Sequence, residues 1–340
     1  MRLWFSKSWT NCKHLWQATG WPARVLVGAF SLCLFAASTL VMSYYGSTGN
    51  GVAQTYVVRR GTPFSVIVED LARRDIVSSE WMMKIHGWVK GADARIIAGE
   101  YQFAPERSVA SILSDMMAGA VVRRRFTAVE GKTSREILEL LRRTEGIEGP
   151  FPQDVPEASL WPETYFYTWG DSGTALVERM NVAFRQNTQQ LWQNRDPDLP
   201  LKSLDQALIL ASIVEKETGV DAERPLVAAV FYNRMRLGMP LQSDATVIYA
   251  LWRDQGRPLD AQLSRQDLLY DSPFNTYRYR GLPPFAICNP GKASLMAVLH
   301  PAKSEALYFV ANGTGGHVFA DTLLEHQTNH QKWRKIRDKR

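Results

Sequence analysis

The sequence predicts an α+β protein carried on an N-terminal transmembrane helix, and three observations predict it. A long uncharged run follows Arg24, short β-rich stretches alternate with turns and amphipathic helical stretches after residue 54, and a helix apolar on nearly every side opens at Ser203. With 340 residues, 45% hydrophobic and 22% charged, the chain is expected to bury a sizeable core and to divide into two domains plus extras. That composition excludes a disordered or fibrous chain. Lys and Arg number 40 against 34 Asp and Glu, and no acidic residue precedes Glu69. The basic balance is therefore a membrane-topology signal and not a nucleic-acid footprint.

The membrane element is "VLVGAFSLCLFAASTLVMSYYG", Val25 to Gly46. Its apolar positions, roughly 20, span about 30 Å as a helix. A signal peptide starts earlier, has a shorter apolar core and ends in a small-residue cleavage site. This run begins late and closes on Tyr44 and Tyr45, an interfacial aromatic pair. Arg2, Lys7, Lys13 and Arg24 precede it without an acid, so residues 1–24 are expected as a cytoplasmic basic tail and the chain beyond residue 46 outside. Cys12 is then cytoplasmic and Cys33 within the bilayer, which leaves Cys288 without an intrachain disulfide partner outside.

Residues 47–54, "STGNGVAQ", have the composition of a linker. "TYVVRRGTPFSVIVEDLARRDIV" runs from a strand through a Gly turn into a helix, a second helical stretch covers Ser79 to Val89, and "AGEYQFAPERSVASILSDMMAG" adds strand, turn and helix. The order over residues 55–120 resembles a LysM-like carbohydrate-binding subdomain; the plainer reading is an α+β packing domain. From residue 121 "RRRFTAVEGKTSREILELL" repeats the pattern, with Thr133 or Ser134 as the helix cap. The aromatics of "LWPETYFYTWG" fill a core or line a sugar site, and core packing is the commoner use.

The chemistry sits at the end of the apolar helix. Ser203 and Gln206 form a Ser-x-x-Gln capping box, and Thr218-Gly219 supplies the stop. Being apolar all round, the helix is a buried one. Glu215 and Glu217 close it, and at about 100° per residue they stand roughly 200° apart. They cannot both face one cleft, whereas ordinary glycoside hydrolysis sets two carboxylates across the scissile bond. A single carboxyl, partly buried at the negative end of a helix, has a raised pKa and stays protonated near neutrality as a general acid; Lys216 opposes that shift. Taken alone, the pair also reads as two exposed glutamates at a helix end.

Three ordered blocks settle which reading to pursue: "ASIVEKETGVDAERPLVAAVFYNRMRLGMPLQSDATVIYAL", "LSRQDLLYDSPFNTYRYRGLPPFAICNPGKASLMAVLHPA" and "LYFVANGTGGHVFADTLLEH". They resemble the endolytic murein transglycosylases of the YceG-like (MltG) type, closely over residues 203 to about 332 and loosely over 55–202, with the N-terminal anchor included. The resemblance implies a YceG-like catalytic domain over 121–340. It implies a lytic transglycosylase, a lyase that cuts inside peptidoglycan strands between N-acetylmuramic acid and N-acetylglucosamine and leaves 1,6-anhydro ends, so ending strand elongation. One carboxylic acid protonates the glycosidic oxygen, then takes the proton of the C6 hydroxyl that attacks C1 of the same sugar. The substrate supplies the nucleophile, with the advantage of an intramolecular reaction.

By its place in "EKET", the catalytic glutamate corresponds to Glu217. Asn233 and Arg234 in "FYNRM", Gln242 and Asp244 in "LQSDATV", Asn275 and Tyr277 in "SPFNTY" and His317 in "GGHVF" fall in the family's motifs, where their donors suit acetamido and hydroxyl groups. Each also has a scaffold reading: Asn233 and Arg234 tie a helix over 225–238 to a loop, and Asp244 caps a helix starting at Ala245. Ala245 departs from the proline expected there, which touches loop stiffness and not the acid. "GLPPFAICNPG" is expected as a rigid loop under the cleft, without chemistry. No cofactor and no metal is implied. The implied partners are peptidoglycan strands and peptidoglycan synthases (penicillin-binding proteins), at an inner membrane crossed once, with the catalytic domain periplasmic.

Other chemistries fit less well. His326 and His330 stand at i and i+4 on a helix that Asp321 would cap, with His317 upstream, but "EHQTNH" lacks the glutamate a zincin places after its first histidine. No phosphate-binding Gly loop follows a strand, and Cys288 has no neighbouring base to activate it. The rival of a different class is a membrane-anchored, non-catalytic glycan-binding scaffold. The nearer rival is a muramidase that uses water, which leaves reducing ends.

Overall fold

The computed structural model describes residues 21–46, 52–105 and 107–338. The basic residues Arg2, Lys7 and Lys13, Cys12 and most of the 47–54 linker lie outside the described residues. Contacts divide the chain into two compact units, one reaching Val122 and including Thr168–Gly170, the other formed by Arg123–Tyr167 and Asp171 onward.

The first unit begins with helix α1, Trp21–Tyr45. Its stretch Val25–Tyr45, 21 residues, is long and apolar enough to cross a membrane. A core helix of that composition would be buried, yet none of this span is. There follow β1 (Gln54–Val58), α2 (Phe64–Arg73), α3 (Glu80–Lys90), β2 (Gly99–Phe103) and α4 (Val109–Ala118). β1 and β2 pair antiparallel with Tyr56 opposite Tyr101. The helices close over them through Ile67, Leu71, Met83, Ile112 and Met116. Helix α3 starts where the Ser79 hydroxyl accepts from the Met82 amide and stops at Gly91, whose φ of 63° suits a residue without a Cβ. The tyrosines ending α1 divide their labour. Tyr45 is exposed, while Tyr44 packs on this core with its ring 4.3 Å from that of His86.

In the second unit β3 (Arg124–Thr127) pairs antiparallel with β5 (Thr164–Tyr167), and β4 (Ile147–Glu148) runs parallel to β6 (Asp171–Ser172). Helices α5 (Ser134–Arg142) and α6 (Gly173–Gln193) bury Ile137, Leu141, Leu176 and Met180 against them. Thr133 caps α5 in a full capping box with Glu136. Of the aromatics in 160–170, Trp161 and Tyr167 are buried while Phe166 is exposed, so the segment largely fills core.

The larger core is helical: α7 (Leu204–Glu217), α8 (Arg224–Arg236), α9 (Asp244–Gln255) and α10 (Lys292–Leu299), followed by the hairpin β7 (Tyr308–Ala311) and β8 (His317–Ala320) and by α11 (Leu323–Arg337). Every residue of α7 from Ala207 to Val214 is buried, as its apolar sequence predicts, against α8, α9 and α10. Its cap differs in detail from expectation. Ser203 accepts from the Gln206 amide, but the Gln206 side chain turns back to the Lys202 amide at 2.8 Å, one residue before the cap. Two other caps are corrected. Ser243 precedes α9 while Asp244 is its first residue, and Thr322 with Glu325, not Asp321, caps α11. Helix α9 thus begins one residue earlier, and α11 one residue later, than an Asp cap would place it, because in each case a hydroxyl-bearing neighbour takes the cap position.

The Gly/Pro-rich loop before α10 is fastened from three sides. Fully buried Asn289 accepts from the amides of Ser159 (3.1 Å) and Leu160 (2.9 Å) and donates to the Lys132 carbonyl (3.1 Å). The Ile287 amide donates to the Ser212 hydroxyl of α7 at 3.0 Å. Burial pushes the Cys288 thiol well up, which keeps it an inert packing group. Asn289→Ala strands the amides of Ser159 and Leu160, while the Lys132 carbonyl keeps the Asn289 backbone amide at 2.9 Å, so it is expected to cost about 1–3 kcal/mol of stability. A thermal melt indistinguishable from wild type would contradict that hub.

Candidate active site

Helix α7 ends with its two glutamates pointing opposite ways, as helical geometry requires. Glu215 turns inward, its side chain only 6% exposed. It accepts from the Gly291 amide at 2.9 Å and lies 3.8 Å from the buried guanidinium of Arg224. Arg224 in turn donates to the Ser294 hydroxyl at 3.0 Å and to Asp221. Glu215 is thus a structural carboxylate clamping α7 to the start of α10 and of α8. It is not an exposed helix end.

Glu217 emerges on the other side, in a cleft of about 160 Å³ that Gly131, Thr133, Lys216, Asp244 and Tyr249 also line. The chain leaves α7 at once, Thr218 being extended at φ −144°, ψ 134°. The Glu217 carboxyl accepts a hydrogen bond from the hydroxyl of buried Ser243. Ser243 is held in turn. The Gln242 amide donates to the Thr276 carbonyl (3.1 Å), the Ser243 amide donates to the Thr276 hydroxyl (3.0 Å), and Gln242 takes a left-handed φ of 54°. That strained turn aims the hydroxyl at Glu217 and leaves α9 without a side-chain cap bond.

Sequence reasoning passes over Ser243. Its signal is a serine at a helix start, which ordinarily means capping; only the tertiary contact shows that the hydroxyl serves another group.

Burial is the main cause that raises the Glu217 pKa, to about 6. The Ser243 hydrogen bond favours the charged form and lowers it, nearby Asp244 raises it, and His317 and Arg234 pull it down. Lys216 directs its ammonium to the Gly131 carbonyl at 3.4 Å. A carboxyl poised there can give a proton near neutrality and take one back.

The other candidates fall into two groups. Asp244 shares the cleft, and its carboxylate accepts from the Tyr277 hydroxyl at 2.6 Å; Gln242 is exposed next to them. By contrast, the amide of Asn233 donates to the carbonyls of Ser304 (2.8 Å) and Ala306 (3.0 Å). The Arg234 guanidinium donates to Leu307 (2.7 Å) and Leu241 (2.8 Å). Fully buried Asn275 donates to Leu268 (3.0 Å) and Tyr270 (2.7 Å). These three spend their donors on the chain itself and hold the loops that carry Gln242, Ser243 and Tyr277.

His317 sits between the groups. Its Nδ1 lies 2.8 Å from Glu223 Oε2, and its amide donates to Oε1 at 2.8 Å. Burial pushes the Glu223 carboxyl up, but the hydrogen bonds from the His317 ring and amide and from Thr218 together hold it below the ordinary range. The pair ties β8 to the turn just after Glu217. On α11, His326 stacks on Tyr308 at 5.1 Å, and its ring stands 6.3 Å from that of His330. Among the described residues no group of three metal-ligating side chains converges.

A family model described as the YceG-like family matches residues 56–332. The chain is 30% identical over 305 residues to the endolytic murein transglycosylase of Bacillus subtilis (strain 168), covering 80% of this chain and 82% of that protein. It is 33% identical over 175 residues to the endolytic murein transglycosylase of Streptococcus pneumoniae (serotype 2, strain D39), covering 51% of this chain and 31% of that one. Among solved structures, a yceG-like protein from Listeria monocytogenes superposes with a TM-score of 0.52 at 27% identity, covering 81% of this chain and 98% of the other.

The electrostatics predict opposite responses at neighbouring positions. Ser243→Ala removes a bond to the carboxylate and should move the Glu217 titration above 6, whereas Asp244→Asn removes a repulsive charge and should move it below. Carbon-13 NMR of glutamate-labelled protein reads both, and shifts in the same direction would contradict the assignment.

Proposed function

The chain belongs to the YceG-like family, and from that premise we propose that it is an endolytic lytic transglycosylase of peptidoglycan. It cleaves the bond between N-acetylmuramic acid and N-acetylglucosamine inside glycan strands and leaves 1,6-anhydro ends. The observation that carries this reading is the single carboxyl Glu217, poised near pH 6 in a cleft beside a hydroxyl donor. Protonated Glu217 gives its proton to the glycosidic oxygen as the C1–O bond breaks. The resulting carboxylate, steadied by Ser243, takes the proton of the C6 hydroxyl while O6 bonds to C1. Proton and electrons balance, and the acid is regenerated without water.

Asp244, Tyr277 and Gln242 are the residues we assign to sugar contacts. Asn233, Arg234 and Asn275 act through them by fixing their loops, and His317 does so through Glu223. The strand, helix, helix, strand order of residues 54–103 supports a LysM-like, glycan-binding subdomain over 55–120, ahead of a catalytic domain over 121–340. The uncovered α1 supports a single-pass anchor, with the N-terminus cytoplasmic and the catalytic domain periplasmic. Tethering keeps the cleft near the membrane, where synthases release new strands and where cutting ends their growth.

Asp244 in the same cleft gives a water-using muramidase its second carboxylate, and the product ends decide between the two. Mass spectrometry of strands digested by the full chain should show internal fragments with anhydro ends. Glu217→Gln should lower the rate by at least about 10²-fold. Reducing ends would select hydrolysis, and bound but intact strands would select the scaffold. Cleavage should fall as pH rises through about 6, because the acid must start protonated. Glu215→Gln should keep cleavage but lose about 1–3 kcal/mol of stability, since an amide pairs poorly with Arg224.

A further inference from the structure

Tyr249, which lines the cleft, also lines a second cavity of about 620 Å³. Helix α9 walls the two in succession: Asp244, Ala245 and Ile248 face the cleft, and Trp252 and Arg253 face the cavity. Ala245 and Arg253 are about 12 Å apart along the helix axis. Arg135 and Arg142 of α5 and Glu157 line it as well, the Arg135 guanidinium lying 6.0 Å from the Trp252 ring. The guanidinium of Arg253 lies 5.3 Å over the Phe285 ring and 3.6 Å from Asp254, so it is positioned while only loosely neutralised. Arg142 is braced by the Pro152 carbonyl at 3.1 Å.

The lining carries both signs of charge. Glu139 and Asp154 accompany the arginines, and burial pushes Glu157 up to about 7, so it is only about half ionised at neutrality. Arg135 is paired with Glu139 at 3.3 Å, which leaves the guanidinium groups of Arg142 and Arg253 as the cationic donors lining the cavity. A glycan backbone of amide-substituted sugars has no charge with which to answer them. The charged parts of peptidoglycan are the stem peptides on the muramic sugars, which bear free carboxylates. An extended peptide advances about 3.3–3.6 Å per residue, so three or four residues cover the distance from the cleft to Arg253.

We infer that this cavity receives the stem peptide of a strand lying in the Glu217 cleft, its carboxylates pairing with Arg253 and Arg142. The inference rests on the transglycosylase reading and deepens it: the enzyme prefers strands that carry peptides. Arg253 and Arg142 are here specificity-determining residues that touch substrate away from the reacting bond.

The test compares peptide-bearing glycan strands with the same strands after amidase removal of the peptides, using the full-length chain in detergent. Wild type should cut the peptide-bearing strands with about tenfold higher kcat/KM, the size of one charge-assisted hydrogen bond. Arg253→Gln and, independently, Arg142→Gln should each bring that ratio toward one, through KM for the peptide-bearing strands. A wild-type ratio near one, or two folded variants that keep the wild-type ratio, would overturn the peptide site and leave the transglycosylase standing. A wild type that cuts neither strand would overturn the underlying reading instead.

Discussion

The buried contact of Glu215 with Arg224 and the Gly291 amide is the constraint on which the site depends. A carboxylate this far from water is tolerable only with a cation and good hydrogen bonds around it, and removing a partner is costly. Those partners come from the first turns of α8 and α10, so the contact locks the three central helices in rotation as well as position. With Glu215 committed inward, Glu217 two residues later has one direction left. The same helix end that clamps the core therefore also aims the acid.

Around that acid the protein balances opposing influences and avoids a single strong one. Burial and Asp244 favour the protonated form; Ser243, His317 and Arg234 favour the ionised form. The outcome near 6 lies where a group can change roles within one reaction, because neither protonation state is deeply preferred. The shell that sets this balance is itself fastened to the rest of the chain. Arg234 ends on the carbonyls of Leu241 and Leu307, His317 on Glu223, and Ser243 on Thr276. Polar side chains that might have been spent on ligand instead fix the distances on which the tuning relies.

What the sequence discloses and what it hides divide along physical lines. Properties set by local periodicity are legible: the apolar run of α1, the buried middle of α7, a cap for α5 at Thr133 or Ser134, and the divergence of Glu215 and Glu217 that follows from residue spacing alone. Properties set by contacts between distant segments are not. Ser243 looks like a helix cap until Glu217 is seen beside it, 26 residues away in sequence. Asn233, Arg234 and Asn275 carry donors suited to sugars, and only the folded chain shows those donors taken by carbonyls. The larger cavity joins α5 to α9, more than a hundred residues apart, and no motif spans that distance. Tyr44 lies at a membrane boundary by composition, and its docking against His86 is a tertiary event.

The opposed glutamates also limit how the gene can change length. One residue inserted between Ser203 and Glu217 would turn the helix end by about 100° and swing both carboxylates off their partners. Conservative substitutions leave this register intact; insertions and deletions there do not. The stretch 256–266 after α9 is tied to the site as well, since Leu259 lines the cleft and Arg257 donates to Asp267 at 2.6 Å. A change of side chain is thereby a smaller disturbance to this helix end than a change of chain length.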